Sequence, residues 1–159
     1  MKKFELTSKF ITNIFGTKLF RIKALVEFGN VKAGELGGYI EKEENLSQYG
    51  NAWVCDDARV YGDAWVCGNA WVCDDAEVCG NAWVYGDDDF ATVHVFGSEH
   101  RTTTFFRLKD GNIGVRCGCF YGNLSEFRKK VVETHGETKK AKEYLMIADL
   151  MEFRFSDNS

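Results

Sequence analysis

The sequence predicts a mainly β protein built around a short, three-sided solenoid of six-residue repeats, and three observations carry that prediction. From Gly50 to Tyr85 the chain reads in sixes as GNAWVC, DDARVY, GDAWVC, GNAWVC, DDAEVC and GNAWVY. Alanine recurs at 52, 58, 64, 70, 76 and 82, and valine at 54, 60, 66, 72, 78 and 84, without exception. A second period lies on the first: residues 51–68 match residues 69–86 at 14 of 18 positions, so three hexads make one turn.

Strand geometry explains the hexad. In Ala-Trp-Val-Cys, side chains alternate across the backbone, so Ala and Val share one face while Trp and Cys share the other. Small Ala and branched Val suit the narrow interior of a triangular turn; Trp cannot fit there and is assigned to the outside. The intervening Gly-Asn, Gly-Asp and Asp-Asp pairs are turn chemistry, tolerant of the backbone angles a corner demands. Successive turns are expected to stack at about 4.8 Å, pairing backbone groups as in any sheet. The longer period then sets Trp53 near Trp71 and Trp65 near Trp83 on two faces. On the third face it sets Arg59 beside Glu77, an opposite-charge cross-strand pair worth about 0.2–1 kcal/mol.

The runs Val54-Cys-Asp56-Asp-Ala58 and Val60-Tyr-Gly62-Asp-Ala64 place Gly or Asp two residues after an aliphatic and a small residue four after it. Copies beginning at Val66, Val72 and Val78 do the same, and the copy from Val84 fails at Asp88. In this the chain resembles the hexapeptide-repeat left-handed β-helix family. Left-handedness is implied by that resemblance, since spacing gives three-sidedness alone. The register extends loosely upstream through Leu36, Gly38 and Ile40, then Leu46 and Gly50, and downstream through Phe90 and Phe96. The expected division is an N-terminal β cap over 1–35, the β-helix over 36–97, and a C-terminal hairpin with two helices over 98–159.

The caps follow from local signals. Residues 18–28 are strand-like, and Gly29-Asn30, Gly34, Gly37 and Gly38 mark turns. Residues 102–108 and 112–117 flank Lys109-Asp-Gly111, a hairpin signal. Asn123-Leu-Ser-Glu126 resembles a capping box opening a helix to about Thr134. His135-Gly136 breaks it, and a second helix is expected from about Thr138 to Phe153. Ala141, Tyr144, Leu145, Ala148 and Phe153, with Leu150 and Met151, form its packing face. The head motifs Leu19-Phe-Arg-Ile-Lys-Ala-Leu25, Gly37-Gly-Tyr-Ile40 and Asn45-Leu-Ser47 precede the hexads. Gly118-Cys-Phe120, Glu133-Thr-His-Gly136 and Ala141-Lys-Glu-Tyr-Leu145 follow them. Over nearly its whole length the chain is thereby similar to small prophage-borne hexapeptide-repeat proteins of unassigned role. That resemblance implies a phage or mobile-element protein and brings no catalytic residues.

Composition narrows the function classes. A net charge of −4 argues against nucleic acid as a direct partner, because phosphate binding needs clustered cations. Between residues 56 and 89 acids dominate and Arg59 is the one basic residue, whereas 126–142 is rich in Lys and Arg. No apolar run reaches the roughly 20 residues of a membrane helix, and the N-terminus lacks a secretory apolar run. The cytoplasm, of a host cell if the protein is phage-encoded, is the expected compartment. Cys55, Cys67, Cys73 and Cys79 share one repeat position with Tyr61 and Tyr85, so they read as free thiols.

Chemistry is sparse. His94, His100 and His135 all lie outside the regular repeats, and many hexapeptide β-helix enzymes, which transfer acetyl groups from acetyl-CoA, use a histidine base. Cys117-Gly-Cys119 near His135 is a weak metal signal. The acidic corners lack the calcium-binding nonapeptide signature, and no phosphate loop or nucleophile elbow is present. No catalytic residue, metal or cofactor is expected. Four outward Trp are a large apolar area to leave in water, covered by the caps, by another subunit, or by a partner. The expected partner-binding residues are therefore Trp53, Trp65, Trp71, Trp83, Tyr61 and Tyr85. With them go the carboxylate row Asp56, Asp57, Asp74, Asp75, Asp87, Asp88 and Asp89, whose spacing could mimic a phosphate backbone. The function these features suggest is a non-catalytic phage-type protein that occupies a host macromolecule, such as a CRISPR–Cas effector or another nucleic-acid-binding enzyme. A homo-oligomer, dimer or trimer, is expected. The alternatives are a degenerate acyltransferase using acetyl-CoA and a self-assembling structural protein; for a bound small nucleotide the sequence offers no phosphate pocket.

Overall fold

The computed structural model describes residues 2–94, 102–118 and 120–156. Phe96, His100 and Cys119 lie outside them. The chain is mainly β, with several small sheets and two C-terminal helices. Strand β1 (Phe4–Thr12) turns through Asn13, whose side chain accepts the N–H groups of Phe15 and Thr17, into antiparallel β2 (Lys18–Ala24). Within the expected 1–35 cap only residues 18–28 read as strand; β1 is mostly exposed, so its apolar alternation is weak. Strand β3 (Leu36–Ile40) pairs antiparallel with β2 on one edge and parallel with the repeats on the other.

The hexads form six two-residue strands: β4 (Trp53–Val54), β5 (Arg59–Val60), β6 (Trp65–Val66), β7 (Trp71–Val72), β8 (Glu77–Val78) and β9 (Trp83–Val84). They pair parallel as β4–β7, β5–β8 and β6–β9, in registers Trp53↔Trp71, Arg59↔Glu77 and Trp65↔Trp83. Each register is a step of 18 residues. The N–H of Trp53 donates to Ala70 O (3.0 Å), that of Arg59 to Ala76 O (2.9 Å) and that of Trp65 to Ala82 O (2.9 Å). All six repeat alanines and all six repeat valines are buried in one core, together with Phe4, Leu19 and Ile22 of the head.

Three corners separate the strands, at 50/68, 56/74 and 62/80. Gly50, Gly62, Gly68 and Gly80 have positive φ there, and so do Asp56 (53°) and Asp74 (61°). The head joins this pattern with a slip: Ile40 pairs with Val60 and Leu46 with Val66, steps of 20 residues. A 3-10 turn at Glu43–Asn45 holds that join, and the Asn45 amide donates to Gly62 O and Ala64 O. Gly37 and Gly38 let β3 lie flat on the repeats: a Cβ on Gly37 would sit 2.5 Å from Val54 O, and one on Gly38 2.6 Å from Ala58 O.

Downstream the parallel register stops. After a 3-10 turn at Asp87–Asp89, β10 (Phe90–Val93) pairs antiparallel with β11 (Thr103–Arg107), so Phe90 does not continue the repeat as expected. Strands β12 (Ile113–Cys117) and β13 (Phe120–Asn123) complete an antiparallel sheet in chain order. Helix α1 (Leu124–His135) opens with the expected Asn123/Glu126 capping box, and α2 (Lys139–Arg154) is capped by Thr138. Ala141, Tyr144, Ala148 and Met151 of α2 are buried against Phe105, Val115 and α1. Leu150 and Phe153, expected on that face, point to solvent at 57% and 68% exposure, because the 3-4-3 spacing of the buried residues puts them on the far side. No helix among the described residues is long and apolar enough to cross a membrane.

Cys55 and Cys73 are not the free thiols that their repeat position suggests. Cys55 and Cys73 are joined as a disulfide, with Cα atoms 4.6 Å apart, because the 18-residue step stacks them at the same corner. Cys67, Cys79 and Cys117 are free. The close approach at β3 makes a test. Gly38→Ala is expected to destabilise by about 1–3 kcal/mol, since backbone and not a flexible side chain opposes the new Cβ. Gly86→Ala, where nothing lies within 4 Å, should leave the denaturation midpoint unchanged.

Candidate functional site

Two sides of the repeat carry Trp and the third carries Arg59 and Glu77. A cleft of about 650 Å³ opens over that third side, where head, repeats and tail meet. Ile11 and Tyr39 wall it from the head; Asp57, Arg59, Asp75 and Glu77 form its floor; His94, Thr102 and Arg116 come from the tail.

Glu77 organises the floor. Its Oε2 accepts Arg116 Nε at 2.8 Å and the Tyr61 hydroxyl at 3.0 Å, and its backbone N–H donates to Thr104 Oγ1 at 2.9 Å. The expected Arg59 partner stands farther off, with Nη1 3.9 Å from Glu77 Oε1. Arg116 takes the carboxylate because β12 delivers it from inside: its side chain is 3% exposed, against 27% for Glu77, so the attraction is less screened by water. Arg59, about a third exposed, is left as the loosely held cation of the cleft. The Phe15 ring, from the β1–β2 turn, lies 4.8 Å from the Arg116 guanidinium. Burial raises the Tyr61 hydroxyl pKa, with negative charge at Cys79 and Glu77 adding to the effect, and pushes the Cys79 thiol up to about 11. At the rim, His94 Nδ1 and Thr102 Oγ1 are 2.7 Å apart. Arg21, stacked 4.2 Å over the Tyr39 ring, reaches the largely exposed Asp57 at 3.4 Å.

The expected partner-binding residues separate into groups. Trp53 is fully buried, edge-on to Phe28 of the head at 5.2 Å, so it presents no surface. Its indole N–H has no acceptor among the described residues, a cost of about 1–3 kcal/mol accepted for apolar burial. Tyr61 is likewise buried, on Glu77. Trp71 is half-buried and donates to Asn51 O. Trp65, Trp83 and Tyr85 make an edge-to-face cluster with centroids 5.7–6.1 Å apart, and Lys109 lies over Trp83. Trp65 and Tyr85 are exposed.

The carboxylate row is also divided. Asp56, Asp57, Asp74 and Asp75 stack at one corner, all exposed. Asp87, Asp88 and Asp89 follow the 50/68 corner, and two of them have structural partners: Asp87 accepts the Trp71 N–H, while Asp89 accepts the Tyr85 N–H and pairs with Arg107 at 2.9 Å. The Asp runs do not form the expected single row, because a hexad step moves to the next corner and only an 18-residue step returns. Glu77, Arg116 and His94 were not expected in a site. The loss of Trp at 59 and 77 was the available signal for the floor; nothing local marks Arg116. Cys117 and His135 line a separate hollow of about 140 Å³, with His135 stacked on Tyr144.

Two tests probe the floor. Arg116→Ala should destabilise by ~3 kcal/mol, as Glu77 loses its buried cationic partner. Because the folded chain keeps the Cys79 proton that an unfolded chain releases from about 9.0 upward, that contribution is whole below pH 9 and lost between pH 9 and about 11. Tyr61 acts in the same sense at higher pH, whereas Lys3, lowered by burial to about 8, acts oppositely from pH 8 to 10.5. Comparison isolates the thiol: Cys79→Ala should show a shallower fall in stability than wild type between pH 9 and 11. No protein-family model matches the chain, and no curated protein matches it.

Proposed function

We propose that this chain is a non-catalytic binding protein of phage type. Its repeats, within residues 36–97, wind as a short three-sided, left-handed β-helix, and its acidic corner occupies a basic surface of a host macromolecule in the host cytoplasm. The observation that carries the reading is the 56/74 corner. Asp56, Asp57, Asp74 and Asp75 are exposed together on adjacent rungs. Asp56 and Asp74 hold left-handed backbone, which aspartate tolerates at a turn. Four exposed carboxylates, two of them lining an open cleft, suit a partner of opposite charge. A nucleic-acid-binding enzyme, such as a CRISPR–Cas effector, offers the complementary surface. The cluster of exposed Trp65 and Tyr85 with half-buried Trp83 lies on the strand pair bounded by the other two corners, so it belongs to a different contact from the acidic one.

Stacking by coil ends is the weaker reading, because β3 lies along the first rung and the Ala82–Leu108 bridge ties the tail to the last. The acyltransferase reading has one observation in its favour, His94 at the rim of the cleft. Millimolar acetyl-CoA should then raise the melting temperature, and an unchanged Tm removes that reading. A dimer or trimer is part of the proposal; sedimentation that finds only monomer removes that part.

The binding reading is tested by capture from host lysate. Wild-type protein should retain one stoichiometric protein at low salt, and added nucleic acid should displace it. The triple variant Asp57→Asn, Asp74→Asn, Asp75→Asn should retain at least about tenfold less, these being charge-driven contacts. Equal capture by the variant, or no stoichiometric partner at any salt, would overturn the proposal.

A further inference from the structure

At the 56/74 corner the repeat departs from itself twice. The position after valine carries Cys55 and Cys73, one on each rung; at the other corners an 18-residue step sets Cys67 against Tyr85 and Tyr61 against Cys79. The next position carries Asp56 and Asp74 in left-handed backbone, where the other left-handed corners use glycine. The two departures bring their side chains together. One sulfur each from Cys55 and Cys73 and a carboxylate oxygen from Asp56 all lie within 4.8 Å of one another, the one such group of metal-ligating atoms among the described residues. Asp56 Oδ2 accepts the Asp74 N–H at 3.2 Å, which orients the carboxylate. The cysteines are half-buried and Asp56 is exposed, so an ion can enter from solvent.

We propose that this corner, once reduced, binds a thiophilic divalent cation of the zinc class through the Cys55 and Cys73 thiolates and the Asp56 carboxylate, with water as fourth ligand. Two thiolates select a borderline-soft ion over calcium or magnesium, which take oxygen ligands alone. Neighbouring Asp57, Asp74 and Asp75 raise the local cation concentration. The sulfurs are bonded in this structure, so the site forms after a two-electron step. A phosphine reductant is oxidised to its oxide, taking oxygen from water, and the S–S bond accepts two electrons and two protons to give two thiols. Metal binding then releases those two protons. This site stands independently of the partner reading above.

The experiment is a cobalt(II) titration of phosphine-reduced, desalted protein under nitrogen, read by absorption. Thiolate-to-cobalt charge transfer should saturate at one cobalt per chain and bleach on adding zinc. It should vanish in Cys73→Ser and in unreduced protein, persist in Cys117→Ser, and need about tenfold or more cobalt in Asp56→Asn. Circular dichroism confirms that each variant is folded. Absence of charge transfer in the reduced wild type, or an undiminished band in folded Cys73→Ser, would overturn the proposal. An Asp56→Asn titration matching wild type would overturn the three-ligand assignment.

Discussion

The backbone bonds between rungs set everything else in the molecule. Each repeat strand has only two residues, too few to hold its place by local preference, and its N–H groups reach carbonyls 17 residues along: Trp53 to Ala70, Cys55 to Val72, Tyr61 to Val78, Cys67 to Val84. A step of that length returns the chain to the same side and keeps every Ala and Val inward. A slip of one residue would turn valine outward and Trp or Arg inward, so register is enforced by the core as well as by the bonds. The corners take left-handed backbone, which is why glycine or aspartate stands at each of them.

That constraint also decides where chemistry can stand. Position in the hexad fixes inside or outside, and position in the 18-residue period fixes the side. Two sides carry Trp, and each ends up covered or clustered: Trp53 beneath Phe28, and Trp65 and Trp83 against Tyr85. The third side carries charge, and there the head and tail stand apart to leave a cleft. Its floor is fixed by Arg116 and Glu77, an ion pair between tail and repeat. The corner that leads into this side holds stacked cysteines and stacked aspartates. Acidic surface, cleft and sulfur pair thus share one edge of the molecule.

Much of this architecture was legible in the residues. The period of six gave strand and corner, and the period of eighteen gave the pairings Trp53–Trp71, Arg59–Glu77 and Trp65–Trp83, all of which the structure contains. The capping box at Asn123 and the hairpin at Lys109–Gly111 were readable because their geometry depends on neighbours only a few residues away. What escaped depends on distant parts. Cover by the caps was an expected alternative for the outward Trp, but that Trp53 is the one fully covered is decided by Phe28 in the head. Glu77 chose Arg116 over Arg59 because a strand some forty residues later brings a cation from the inner side. The disulfide was implicit in the longer period, but the alternation of Cys with Tyr in the shorter one obscured it.

The repeat register is therefore the claim on which the cleft, the acidic corner and the sulfur pair all rest. The most direct measurement is through-bond NMR coupling across backbone hydrogen bonds in labelled protein. The account predicts correlations from the Trp53 amide to the Ala70 carbonyl, from Arg59 to Ala76 and from Trp65 to Ala82. Correlations at any other spacing, or none in this segment, would contradict it.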